Sequence, residues 1–123
     1  ILLIIRSRSR KPPMNVANNL ENSAFFFPEH PAVRQAGTEW SYAQLNDHAS
    51  RIAAGLIKLG VKPGELVGLC ALNSADWIAF YFGVLKSGAV AVTLSALLSP
   101  GELELLVKHA KLRFVLSSEN QLH

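Results

Sequence analysis

What is scarce in this chain excludes more than what is abundant suggests. Cys70 is the only cysteine among 123 residues, so an intramolecular disulfide and a cysteine-built metal cluster are both ruled out. It lies inside an apolar stretch, where cysteine behaves as a small hydrophobe; a reactive thiol needs a partly exposed, electropositive place. No apolar run approaches the ~18–20 uninterrupted residues of a spanning helix. The run from Leu66 meets Asn73, Ser74 and Asp76, the run from Trp77 ends at Lys86, and the run from Ser87 contains Pro100. No membrane span is expected, and the chain is read as soluble and cytoplasmic.

The common catalytic signatures are missing too. There is no GxGxxG, no HExxH and no GxSxG. Gly83 and Gly88 have the four-residue gap of a phosphate loop, but Ala89 and Val90 stand where Lys and Ser/Thr are required. His30, His48, His109 and His123 are far apart and have no carboxylates at ligand spacing. Glu102 and Glu104, two apart on an expected helix, face different sides and cannot share a substrate. Ser74, Ser95 and Ser99 have no adjacent base. No residue is therefore assigned a catalytic, cofactor-binding or metal-binding role.

An excess of positive charge is missing from most of the chain, despite a net charge of +3. Arg6, Arg8, Arg10 and Lys11 fall within the first thirteen residues, where there is no acid; the remainder holds eight basic against nine acidic residues. Such a body gives no electrostatic footprint for nucleic acid. Residues 1–13, ILLIIRSRSRKPP, are too short in their apolar part for a secretory signal and carry charges on the wrong side of it. They are read as a non-native or disordered basic tail preceding a start at Met14, the only methionine; an Arg-Ser interaction tail is the sharper alternative.

Apolar residues, in contrast, are plentiful. They make up 50% of the chain, with a mean hydropathy of +0.23, so a packed core is expected. Leu66–Leu72 and Ala89–Thr93 are apolar runs without polar alternation, as in strands buried on both faces of a parallel sheet. Between them, Ala75–Ser87 has helical length, Asn73 and Ser74 for caps, Asp76 in the first turn and Gly88 as a stop. This is a βαβ unit. Its helix carries Trp77, Ile78, Phe80, Tyr81, Phe82, Val84 and Leu85 around most of its circumference, and such a helix is expected to need covering on every side.

Around the unit, Ala17, Leu20, Ala24 and Phe27 space a short first helix, ended by Pro28 and Pro31. The adjacent Phe25, Phe26 and Phe27 are read as core payload in preference to an aromatic binding platform. Ala32–Gln35 and Thr38–Trp40 form a candidate hairpin across Ala36-Gly37. Ser41 and Gln44 have capping-box spacing ahead of a helix reaching Leu59, with Leu45, Ala49, Ile52, Ala53 and Leu56 as its apolar stripe. Ser99, Pro100 and Glu102 likewise open a further helix, with Leu103, Leu106, Val107 and Ala110 on its apolar face, and Arg113–Leu116 is a last strand.

Four stretches, PEHPAV at 28–33, WSYAQLNDHASRIAAGLIKLGVKPGELVGL at 40–69, NSADWIAFYFGVLKSGAVAV at 73–92 and LSPGELELLVKHAK at 98–111, resemble in order and spacing the N-terminal part of the AMP-forming adenylating enzymes. That superfamily includes acyl-CoA synthetases, peptide-synthetase adenylation domains and luciferases. One departure is visible: after LKSGAVAV the family usually has proline, where this chain has Thr93, Leu94 and Ser95. The resemblance implies an α/β fold: a partial parallel-sheet half-domain, with residues 14–123 as an incomplete N-terminal portion of an AMP-binding domain. It implies that a full-length parent would use ATP, magnesium and coenzyme A to activate a carboxylic acid and pass it to a thiol, its partner being the remainder of the adenylating domain. The family's Gly/Ser/Thr-rich phosphate loop, ending in lysine, lies further along. The chain alone, with no cofactor assigned to it, is expected to be catalytically incompetent. A different class of reading is a stand-alone α/β interaction module that pairs with itself or with a homologous synthetase.

Overall fold

The computed structural model describes residues 2–5 and 15–117. In chain order the elements are β1 (Leu2–Ile5), α1 (Ala17–Phe26), β2 (Pro31–Gln35), β3 (Thr38–Ser41), α2 (Tyr42–Lys58), β4 (Leu66–Cys70), α3 (Ala75–Lys86), β5 (Val90–Leu94), α4 (Pro100–His109) and β6 (Phe114–Ser117). β1, β5, β4 and β6 form one sheet in that spatial order, and β2 and β3 form a separate antiparallel hairpin. β4 runs parallel to both β5 and β6, as a βαβ unit requires, and β1 is antiparallel to β5. The expected α/β class, first helix, hairpin and parallel strands are all present.

Strand alternation sorts the apolar runs onto two faces. Val67 lies opposite Ala91 and Phe114, and Leu69 lies opposite Thr93 and Leu116. Val67, Leu69 and Ala91 pack with Val84 and Leu85 of α3, Leu56 of α2 and Ala17 of α1. On the reverse face, Cys70, Val92 and Leu94 pack with Leu112 and with Leu103, Leu106 and Val107 of α4. A strand buried on both sides has no polar face to display, which is why Leu66–Cys70 reads as a continuous apolar run.

The apolar girth of α3 is matched by this chain's own helices. Val84 and Leu85 meet the sheet, and Ala79 and Phe82 join Leu45 and Ala49 of α2 and Leu20 of α1 in a second cluster. Trp77, Phe80 and Tyr81 are half-buried, with Trp77 and Tyr81 stacked at 5.6 Å. Close approach of α2 depends on Gly83, where an added Cβ would stand 2.5 Å from Ile52 Cγ2 and 3.1 Å from the Ala49 carbonyl. Two polar contacts tie α1 and the residue ahead of it to the C-terminal end of α3. Asn15 Nδ2 donates to the Leu85 carbonyl, while Glu21 pairs at 2.8 Å with Lys86, whose side chain is only 8% exposed.

Local signals behave as the sequence indicates. Ser41 and Gln44 close a full capping box on α2, and Ser99 and Glu102 close another on α4. Ala36 and Gly37 both have positive φ, at 32° and 84°, the backbone that a two-residue hairpin with φ > 0 at both central positions demands.

Three expectations are corrected. The phenylalanines are not core: Phe25, Phe26 and Phe27 are 79%, 67% and 53% exposed. α1 spends its buried stripe on Ala17 and Leu20 and ends at Phe26, so Phe27, which the periodicity placed on that stripe, is out of helical register. Leu2–Ile5, set apart as part of a tail, pair with β5 from Leu2–Leu94 to Ile5–Ala91; residues 6–13 of that segment lie outside the described residues. Finally, β5 runs through Thr93 to Leu94, one residue beyond the apolar run read as Ala89–Thr93.

Candidate functional site

In open α/β sheets, ligands bind in the crevice beyond the carboxyl ends of the strands. In this chain that position is the turn from β4 into α3. The chain leaves β4 at Cys70 and starts α3 at Ala75, and Ser74 at the N-cap accepts from the Trp77 amide at 3.0 Å. The β2–β3 hairpin folds over the same turn. Gln35, the last residue of β2, accepts from the Ala75 amide through Oε1 at 2.9 Å and donates through Nε2 to the Asn73 carbonyl at 3.4 Å. Between hairpin and helix is a concavity of about 330 Å³, bordered by Val33, Arg34, Gln35, Asn73, Ser74, Trp77 and Ile78.

The electrostatics of this crevice are muted. The positive end of α3 is satisfied by two uncharged oxygens, from Ser74 and Gln35, with Asp76 in the first turn. Arg34, the one cation at the rim, is held by Glu39 across the hairpin at 2.7 Å. Val33 and Ile78 also border a second concavity of about 220 Å³ beneath α1, lined by Leu20, Tyr42, Leu45 and Phe82. The lining is largely apolar and can bury a hydrophobic group.

The other groups weighed from the sequence are unreactive. Cys70 is buried, and burial pushes its thiol above the ordinary 9.0, as it pushes the Tyr81 phenol above 10.0. The Cys70 Sγ contacts the Ser95 carbonyl at 3.6 Å. His48 stacks on Trp40 at 4.4 Å, His30 stacks on Phe27 at 5.1 Å, and His109 is in the last turn of α4; His123 lies outside the described residues. Among the described residues no group of three His, Cys, Asp or Glu could hold a metal ion. No described helix is long and apolar enough to cross a membrane. Gln35 is the residue that sequence reasoning missed. It caps a helix 40 positions away, and nothing in local spacing signals such a bond.

Comparison with known proteins gives the scaffold its family. The model for AMP-binding enzymes matches residues 20–123. The chain belongs to that family. Within it, an acyl-CoA ligase, sidI, of Aspergillus fumigatus is 33% identical over 79 residues, covering 64% of this chain and 13% of the ligase. A medium/long-chain-fatty-acid–CoA ligase of Mycolicibacterium smegmatis is 31% identical over 97 residues, covering 79% of this chain and 18% of the ligase. Among solved AMP-binding structures, the anthranilate CoA ligase AuaEII superposes with a TM-score of 0.84 at 31% identity, over 89% of this chain and 21% of the ligase. The N-terminal domain of FACL13 from Mycobacterium tuberculosis superposes with a TM-score of 0.83 at 27% identity, over 88% of this chain and 28% of that domain. This AMP-binding chain thus spans less than a third of each of these relatives and matches the N-terminal part of an adenylating enzyme.

The β4–α3 turn of this AMP-binding chain is not laid out as a phosphate cradle. The α3 N-terminus is capped from within, no glycine-rich cradle follows β4, and Arg34 is paired.

Proposed function

We propose that this chain is the N-terminal scaffold of an acyl-CoA synthetase-like ligase. Such an enzyme joins a carboxylic acid to AMP at the expense of ATP and transfers the acyl group to a thiol, coenzyme A in the acyl-CoA branch. The observation that carries the reading is the family match across residues 20–123, on a fold in which the Ala75 and Trp77 amides at the β4–α3 crevice are already bonded to Gln35 and Ser74. The work of residues 15–117 is to build one parallel sheet with helices on both faces and present it to the rest of an adenylating domain. ATP, magnesium and coenzyme A belong to that whole enzyme's reaction, and no described residue here is assigned to hold them. A cytoplasmic setting goes with this reading.

Two measurements test it. Incubated with ATP, magnesium and a panel of fatty and aromatic acids, the purified 123-residue chain is expected to release no pyrophosphate. A chimera in which residues 20–117 replace the matching segment of the M. smegmatis ligase is expected to fold and keep acid-dependent pyrophosphate release. A folded but inactive chimera, or robust turnover by the isolated chain, overturns the proposal.

The reading as a stand-alone interaction module has one observation in its favour. Leu72, Leu97 and Leu105 are exposed, Leu97 at 89%. A defined dimer, or a stoichiometric complex with a homologous synthetase by light scattering, would favour that module.

A further inference from the structure

From Met14 onward the charges nearly cancel in number, but not in place. Lys58, Lys62, Lys86, Lys108, Lys111 and Arg113 all lie where a helix ends and a strand of the parallel sheet begins. The wiring accounts for this. α2, α3 and α4 each deliver the chain to the amino end of a parallel strand, and the helix dipole favours a cation in the last turn. We propose that this amino end of the sheet is a docking surface for an anionic lipid bilayer. Ile57 and Leu59 enter the headgroup layer, and Lys58, Lys62 and Lys111 lie against acidic headgroups. The inference goes beyond the acyl-CoA synthetase reading and does not depend on it.

Three observations carry it. First, the acids at this end are already paired: Glu21 with Lys86, Glu104 with Lys108 and Glu65 with Arg113, at 2.7 to 3.0 Å. Lys58, Lys62 and Lys111 are exposed and have no ion-pair partner among the described residues. The local surplus is therefore positive although the total is not. Second, Ile57 and Leu59 flank Lys58 where α2 ends, and they are 57% and 68% exposed. Leu56 and Val61 on the same stretch are buried, so the apolar contact available to this turn inside the protein is already made. Third, the cations border neighbouring strand ends. β4 and β6 pair in parallel from Val67–Phe114, and Glu65 and Arg113 bridge just ahead of that pair. Lys62 and Lys111 stand three and two residues before these bridging partners.

The pairing of exposed apolar with unpaired basic side chains selects the partner. A nucleic acid would use the lysines alone and gain nothing from Ile57 and Leu59. A bilayer interface uses both, since apolar side chains bury at the acyl boundary while lysines are drawn to acidic headgroups. No described helix is long and apolar enough to cross a membrane, so the contact is peripheral.

The test uses the full chain and lipid vesicles, read by co-sedimentation. The unaltered chain is expected to bind phosphatidylcholine vesicles containing about 30% phosphatidylserine at least tenfold more tightly than phosphatidylcholine alone. Residues 6–11 carry cations of their own, so the deciding comparison is between variants that leave them unchanged. Lys58→Gln with Lys62→Gln is expected to weaken binding about thirtyfold. Ile57→Ser with Leu59→Ser, with every charge kept, is expected to weaken it by about tenfold. All four side chains are exposed, so melting temperatures are expected to stay where they are. Absence of a preference for phosphatidylserine, or binding that neither pair changes, overturns the proposal. Binding lost with the glutamine pair but kept with the serine pair also overturns it, because a surface for any polyanion, RNA included, behaves that way. Should the serine pair fail to fold, Leu59→Trp decides the matter. Its added emission is expected to shift to the blue on phosphatidylserine vesicles and not on phosphatidylcholine, and an unchanged spectrum overturns the proposal.

Discussion

The two faces of the parallel sheet are finished to different depths. On one, α3 lies on the strands and α2 and α1 lie on α3, so Val84, Leu85, Ala79, Leu45 and Ala49 are all buried. On the other, α4 is the only helix in the apolar cluster among the described residues, and none of its residues is fully buried. Both helices have well-formed caps, so the contrast does not lie in local helix quality. It lies in what stands behind each helix. Most helix stability comes from burying an apolar face, and among the described residues one side of this sheet has a second layer to bury against and the other does not. An N-terminal scaffold serving a larger domain would have this character, closed on one face and thinly covered on the other.

Core truncation should break the symmetry most. Leu85→Ala, beneath α3, is expected to cost about 4 kcal/mol, and Leu106→Ala, on half-buried α4, about 1.5 kcal/mol, both read from urea unfolding midpoints. Equal costs would mean that α4 is packed as deeply as α3. Glycine substitution gives the next largest contrast. Gly83→Ala pushes a methyl into Ile52 and the α2 backbone and should cost about 3 kcal/mol. Gly68→Ala, on the α4 face, meets side-chain ends of Leu112, Val115 and Leu94 at 3.0, 3.2 and 3.4 Å, and should cost about 1 kcal/mol. Loss of a cap should be smaller again, with Ser99→Ala weakening α4 by about 1 kcal/mol and raising exchange of its first-turn amides.

Alkaline titration is the mildest probe and touches both faces, through Cys70 on one and Tyr81 on the other. Both groups are neutral when protonated, and burial raises both above their ordinary values of 9.0 and 10.0. The folded chain therefore holds protons that the unfolded chain releases. Their contribution is fully present below pH 9 and is lost as pH rises through the raised values. Thermal melts from pH 7 to 11 should be flat up to about pH 9 and then fall, and Cys70→Ala should remove the earlier part of the decline.

How much of this was legible follows the range over which each signal acts. The capping boxes of α2 and α4, the Ala36-Gly37 turn and the apolar runs of β4 and β5 could be read from spacing, because their partners stand within a few residues of one another. The Ser74 cap of α3 was equally readable, since it stands three residues before the amide it accepts from. The exposure of Phe25–Phe27 was not, because aromatic content signals burial only where a second element arrives to cover it. Nor was the contact of Gln35 with the α3 N-terminus, or of Asn15 with α3, at separations of 40 and 70 residues.

By itself, then, the sequence determined the elements from α1 onward, their order and the parallel βαβ unit from Leu66 to Thr93, since periodicity and caps are properties of neighbouring residues. Tertiary structure decided which helices stack behind α3, which edge of the sheet takes Leu2–Ile5, and that Gln35 fills the helix end where a ligand's oxygen could have stood. Each of these is a choice between surfaces far apart in the chain, and packing settles it by the area buried and the polar groups satisfied when all of them meet at once.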